Sequence, residues 1–77
     1  MANWIRVNET LRKEFTFKDF AEALTFVNTV GALAEEQNHH PDLLLYNYKH
    51  VRVTLSTHSE GKVTEKDYMM AELIDKT

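Results

Sequence analysis

The sequence predicts an α+β domain in which a four-stranded antiparallel sheet carries two main helices on one face, in the order ββαββα. Three observations lead there. An apolar stripe of helical period runs through residues 17–38, residues 51–57 alternate with period two, and a capping box at residues 64–67 opens a second helix.

Trp4–Val7 and Leu11–Thr16 read as two short strands, because Trp4, Ile5, Val7, Leu11, Phe15 and Thr16 are residue types that suit a pleated surface. Asn8-Glu9-Thr10 supplies the turn between them. A helix is expected from Phe17 to Asn38. Thr16 would cap it, with Asp19 three residues on, and Phe20, Leu24, Val27, Gly31 and Ala34 would form its core-facing stripe. Gly31 costs about 1 kcal/mol relative to alanine in a helix interior, and it would permit close approach of another backbone. Pro41 disfavours helical geometry at His40, so the helix should stop near Asn38 or His39. Leu43–Tyr48 and Val51–Thr57 are the next two strands, with the turn inside Tyr46-Asn47-Tyr48-Lys49-His50; His50 reads as a surface residue in that turn. Ser59-Glu60-Gly61-Lys62 is a loop. Thr64-Glu65-Lys66-Asp67 then opens a helix to Asp75 whose inner face holds Asp67, Met70, Ala71 and Ile74.

A chain of 77 residues is one domain, residues 1–77, and buries little surface for its size. It has no cysteine, so disulfides and thiolate metal sites are excluded, and self-association is the favoured source of added stability. A net charge of −3 argues against a phosphate backbone as partner. No apolar run approaches the roughly 20 residues of a membrane span. The opening Met-Ala-Asn-Trp-Ile-Arg has no apolar signal core, which makes the cytoplasm the expected location.

The chemistry-bearing residues are histidines. His39 and His40 precede Pro41, His58 follows a strand, and Asp67 lies in the first turn of the last helix. Imidazole titrates near neutral pH and suits proton transfer. Each residue also has a plainer explanation. A histidine at a helix end favours the dipole, His58 suits a surface, and Asp67 completes a cap. Glu35 lies one turn before His39 on the same helical face, where a carboxylate orients an imidazole. Glu35, His39 and His58 could instead ligate a metal ion, but adjacent histidines near a helix end diverge by about 100° and chelate one ion poorly. No serine sits in a nucleophile motif, and there is no glycine-rich phosphate loop.

The run Glu35-Glu36-Gln37-Asn38-His39-His40-Pro41, followed at fixed spacing by Tyr48, His58 and Asp67, resembles the pterin-4a-carbinolamine dehydratase family. Val53-Thr54-Leu55-Ser56-Thr57-His58 and Phe17-Lys18-Asp19-Phe20 are similar to that family's strand and first-helix entry. The resemblance implies dehydration of 4a-hydroxy-tetrahydropterin to quinonoid dihydropterin, without metal or organic cofactor. It also implies a homodimer or homotetramer, coupled to an aromatic amino acid hydroxylase. His39 and His58 would be the acid/base pair, with His40 holding and polarising the pterin. Asn38, His39, His40, Ser56, Thr57, His58 and Ser59 would line the pocket, Glu35 would orient His39, and Asp67 would support the site or bind substrate. Leu43 stands where many relatives carry an aromatic, so any ring contact is either missing or supplied elsewhere, as by Tyr46 or Tyr48; Lys66 stands where some carry arginine. The alternative on the same fold is a non-catalytic binding, assembly or transcriptional-cofactor protein. The three histidines count against a binding or assembly role, and an exposed apolar helix face would favour a regulatory partner of a hydroxylase or transcription factor.

Overall fold

A computed structural model describes residues 3–77; Met1 and Ala2 of the opening stretch read above lie outside it. The elements are β1 (Ile5–Val7), β2 (Thr10–Thr16), α1 (Phe20–Gln37), β3 (Asp42–Tyr46), β4 (His50–Leu55) and α2 (Glu65–Asp75), the expected ββαββα order. The sheet is antiparallel throughout, in the spatial order β1-β2-β4-β3. The two hairpins therefore meet along β2 and β4, where Leu11 lies opposite Leu55 and Phe15 opposite Val51.

Alternation on β4 divides the faces. Val51, Val53 and Leu55 are fully buried, and Met70, Ala71 and Ile74 of α2 and Ala23, Val30 and Ala34 of α1 join them in one core. The inner face of α2 is the one the sequence indicated. Asp75 near the end of α2 accepts from the Trp4 indole (2.9 Å) and from Lys13 Nζ (2.7 Å), which ties that helix back to the first hairpin.

The open face of the sheet carries a polar cluster. Glu14 accepts from Arg52 and from the Tyr46 hydroxyl (2.8 Å), and Thr16 Oγ1 lies 3.0 Å from His50 Nδ1. Burial alone would raise the Glu14 carboxyl, but the hydrogen bonds from Arg52 and Tyr46, with the Arg52 and Arg12 charges, hold it below its ordinary value. The hydrogen bond to Glu14 pushes the Tyr46 hydroxyl up. His50 is thus the first residue of β4, with a partner and a stacked Tyr46 ring at 5.3 Å, and not a free turn residue.

Three further expectations are corrected. Thr16 does not cap α1. Phe17 is still extended, its N–H donating to Lys49 O (2.9 Å) and its ring packing on Phe26, so Asp19 becomes the N-cap and accepts from Glu22 N at 2.9 Å. Of the expected stripe, Phe20 and Leu24 are exposed, 49% and 40%, whereas Val27 packs against the core and Ala34 is buried in it with Ala23 and Val30. Phe26 and Leu33 pack beside these residues with Val27, which leaves Phe20 and Leu24 on the outer side of α1. Gly31 brings no backbone close, since a Cβ there would meet nothing within 4 Å.

Candidate active site

α1 ends where the site begins. Asn38 is its C-cap in the left-handed region, φ 52°, which asparagine tolerates better than most residues, and its N–H closes the last turn on Ala34 O and Glu35 O. His39 N also reaches Ala34 O, at 3.1 Å. The chain then turns sharply and leads through Pro41 into β3.

This turn decides which carboxylate each imidazole meets. The regular i, i+4 register is lost at Asn38, so Glu35 hydrogen-bonds His40 Nε2 and not His39 as the spacing suggested. His39 swings inward, its side chain only 14% exposed, and its Nε2 lies 2.6 Å from Asp67 Oδ1. His40 and Glu35 remain on the surface.

Asp67 is completely buried. Its Oδ2 accepts from Thr64 N (2.9 Å) and from Thr57 Oγ1 (2.9 Å), while Thr64 Oγ1 accepts from Lys66 N (3.3 Å). The capping box at 64–67 is therefore present, and its acidic member also holds an imidazole and a threonine. Three donors on one buried carboxylate satisfy it without a cationic lysine or arginine.

Thr57 pairs in an isolated bridge with Lys62, N to O at 2.9 Å, so the strand expected to run to Thr57 stops at Leu55 and resumes for one residue. Gly61 takes the positive φ (65°) that this tight turn requires. His58 begins the turn and is exposed. It stands one residue from Thr57, whose hydroxyl is bonded to the carboxylate that holds His39. Ser56 is half-buried and Ser59 exposed.

A cleft of about 210 Å³ is lined by Gln37, Asn38, His39, Lys66 and Met69, and a neighbouring one of about 350 Å³ by Thr57, Glu60, Thr64, Glu65 and Lys66. Lys66 borders both. Of the residues expected to line a pocket, Asn38 and His39 border the first cleft and Thr57 the second; His40, Ser56, His58 and Ser59 border neither. Gln37 and Met69 went unread, although Gln37 is the last residue of α1 before the Asn-His-His run and Met69 lies three positions from Lys66 on α2. Neither Tyr46 nor Tyr48 substitutes for an aromatic at Leu43: Leu43 packs on the core, Tyr46 is bonded to Glu14 on the open sheet face, and Tyr48 is exposed in the β3–β4 turn. A larger groove of about 660 Å³ runs beside α1 past Phe17, Phe26 and Thr29, and no imidazole borders it. The alternative metal trio is not assembled: Glu35 is bonded to His40, His39 to Asp67, and among the described residues no three histidine or carboxylate side chains converge as ligands.

Comparison with known proteins places the chain in a family. The family model described as "Pterin 4 alpha carbinolamine dehydratase" matches residues 1–77. A protein of Sulfolobus acidocaldarius named "Putative pterin-4-alpha-carbinolamine dehydratase" is 49% identical over 73 residues, 95% of this chain and 79% of that protein. A Rubrobacter xylanophilus protein of the same name is 44% identical over 77 residues, 99% of this chain and 71% of its own length. Among solved structures, a transcriptional coactivator/pterin dehydratase from Brucella melitensis superposes with a TM-score of 0.90 at 39% identity, covering 97% of this chain and 81% of that one. A pterin dehydratase-like RuBisCO assembly factor of the alpha-carboxysome shares the fold, with a TM-score of 0.76 at 24% identity over 95% of this chain and 83% of that one.

Proposed function

The chain belongs to the pterin 4 alpha carbinolamine dehydratase family, and from that premise we propose that it removes water from 4a-hydroxy-tetrahydropterin by histidine acid/base catalysis. Hydroxide is a poor leaving group. A general acid protonates the 4a-oxygen as the C–O bond breaks, the N5 lone pair forms the C=N bond, and a general base takes the N5 proton. The products are quinonoid dihydropterin and water. Imidazoles serve both roles near neutral pH, each contributing typically 10²–10⁴-fold.

His39 and His58 are the proposed acid/base pair, and His40, steadied by Glu35, holds and polarises the pterin. Asn38 and Lys66 beside His39 offer polar contacts to the heterocycle's edge, while Met69 offers an apolar surface. Ser56 and Ser59 are proposed to meet the substrate beside His58, while Thr57, buried and bonded to Asp67, supports the site from behind. No resident metal or organic cofactor enters this scheme. Coupling to a pterin-dependent aromatic amino acid hydroxylase in the cytoplasm follows from the substrate's origin.

The observation that carries the reading is the 2.6 Å pairing of His39 with a carboxylate that is wholly buried. A histidine that merely ended a helix would stay in solvent, and Asp67 could cap α2 without it. Dehydration of carbinolamine generated in situ, followed by absorbance, tests the proposal. His39→Ala and His58→Ala should each lower kcat by about 10²–10⁴-fold, and His40→Ala should mainly raise KM. Purified protein that gives no acceleration would overturn it.

The exposed Phe20 and Leu24 on α1 support a second element of the proposal, that copies associate into a homodimer or homotetramer through this helix. The same stripe is the observation that favours the other reading, a non-catalytic binding, assembly or transcriptional-cofactor role. Full assembly with no dehydration would select it.

A further inference from the structure

We propose that Thr57 is a positioning residue: through Asp67 it fixes His39 in the Nε2–H form, so that Nδ1 is the ring atom that exchanges a proton with substrate. This deepens the dehydratase reading and rests on it for the substrate's identity alone.

The assignment follows from counting protons around one buried carboxylate. A carboxylate only accepts, so all three of its partners must donate. Thr64 contributes a backbone N–H, which cannot reverse. Thr57 has a single hydroxyl proton, and Asp67 Oδ2 at 2.9 Å takes it. Thr57 Oγ1 also lies 2.6 Å from Thr64 Oγ1, so Thr64 must be the donor in that contact. The Thr64 oxygen in turn accepts from Lys66 N. The chain from Lys66 through Thr64 and Thr57 to Oδ2 therefore runs in one direction, with no member free to flip.

On the other side of the carboxylate, Oδ1 also accepts, so His39 Nε2 carries the proton at 2.6 Å. Neutral imidazole has one N–H and one lone pair. The lone pair is consequently on Nδ1, in a ring that borders the cleft with Asn38 and Lys66. Thr57 is 4% exposed, beyond direct use by a ligand at His39, and its part is to stop the carboxylate from rotating. Two donors on Oδ2 fix that rotation; with one, Oδ1 is free to leave Nε2.

Nitrogen-15 NMR of the histidine rings tests this without substrate. In wild type, with the ring neutral, His39 should report a protonated Nε2 and an unprotonated Nδ1. Thr57→Val, which keeps the side chain's shape, should convert this to a mixture of tautomers, and Thr57→Ser should restore it. In the dehydration assay Thr57→Val should lose on the order of tenfold in kcat with KM held within about twofold, and Thr57→Ser should recover. A wild-type ring protonated at Nδ1, or a folded Thr57→Val chain with unchanged His39 resonances, overturns the proposal. The wild-type spectrum decides it even if Thr57→Val does not fold. Because the NMR result needs no turnover, a protein without dehydratase activity would refute the function and leave this assignment separately judged.

Discussion

Asp67→Asn puts the site and the fold in competition. The new amide keeps one acceptor oxygen and gains a donor. Oδ2 accepts from Thr57 and from the backbone N–H of Thr64, and the latter cannot turn into an acceptor. The amide oxygen therefore stays on that side and its NH₂ faces His39. His39 must then accept with Nε2 and move its own proton to Nδ1, the wrong form for a base acting through Nδ1. Three charge-assisted hydrogen bonds become neutral ones, a loss near 1 kcal/mol for each of the two that keep their geometry. Loss of negative charge in the first turn of α2 adds about 0.3–1 kcal/mol. The expected destabilisation is about 2–3 kcal/mol, set against a total of about 4–12 kcal/mol for a domain of this size, so the variant should still fold. Activity should fall much further, by roughly 10²–10⁴-fold in kcat, because the acid/base contribution of one imidazole is removed. Urea unfolding gives the first number and the in situ carbinolamine assay the second. A variant with wild-type kcat would refute the link between this carboxylate and the reacting imidazole. A variant more stable than wild type would refute the proton inventory around Asp67.

Glu14→Gln tests the cluster on the open sheet face. The Glu14 carboxyl is held below its ordinary value in the folded chain, so it adds stability above its unfolded pKa that is lost as pH falls through the folded one. The variant should lose part of the acid limb of a stability-versus-pH curve, and identical limbs would contradict the assignment. Leu24→Lys places a charge on the exposed stripe of α1 and should lower the mass seen by sedimentation while leaving the monomer's circular dichroism unchanged. Gly31→Ala, where a methyl meets only open space, should stabilise the dissociated chain by about 0.5–1 kcal/mol, read by denaturant unfolding at high dilution.

α2 was fully legible, because two independent signals agree there. Thr64 and Asp67 form the capping box, and Met70, Ala71 and Ile74 follow at helical spacing on one buried face. α1 was legible as a helix and not as a surface. Val27 and Ala34 of the expected stripe do meet the core, but Ala23 and Val30 take the buried positions given to Phe20 and Leu24, and periodicity cannot choose between two overlapping apolar stripes. The choice depends on how closely the sheet lets the helix approach, a tertiary fact. The start of α1 was lost for a related reason: Phe17 has a place in an aromatic cluster with Phe15 and Phe26, which keeps the chain extended past Thr16. In the site, Asn38 and His39 border one cleft and Thr57 the next, as the sequence suggested, but His40, Ser56, His58 and Ser59 border neither, and one pairing differs from the spacing. Regular spacing joins Glu35 to His39, whereas a single left-handed residue at Asn38 hands Glu35 to His40 and leaves His39 to Asp67, 28 positions away. The Asp67 reading fared better, since its capping role and its contact with the site coexist.

That coexistence has a consequence for how the site forms. Its hydrogen bonds join three stretches of chain: His39 just beyond α1, Thr57 just beyond β4, and Thr64 with Asp67 at the start of α2. The sheet can pair through β2 and β4 without any of them. The His39–Asp67 pair, by contrast, exists only when α2 is docked, because Asp67 is the third residue of that helix and is buried along with Met70, Ala71 and Ile74 of the same helix. Opening of α2 alone would therefore separate the imidazole from its carboxylate while most of the sheet stayed paired. Local stability of an 11-residue terminal helix then sets the fraction of chains with an assembled site. Loss of activity on mild heating should precede loss of sheet structure, and hydrogen exchange at the α2 amides should track the activity.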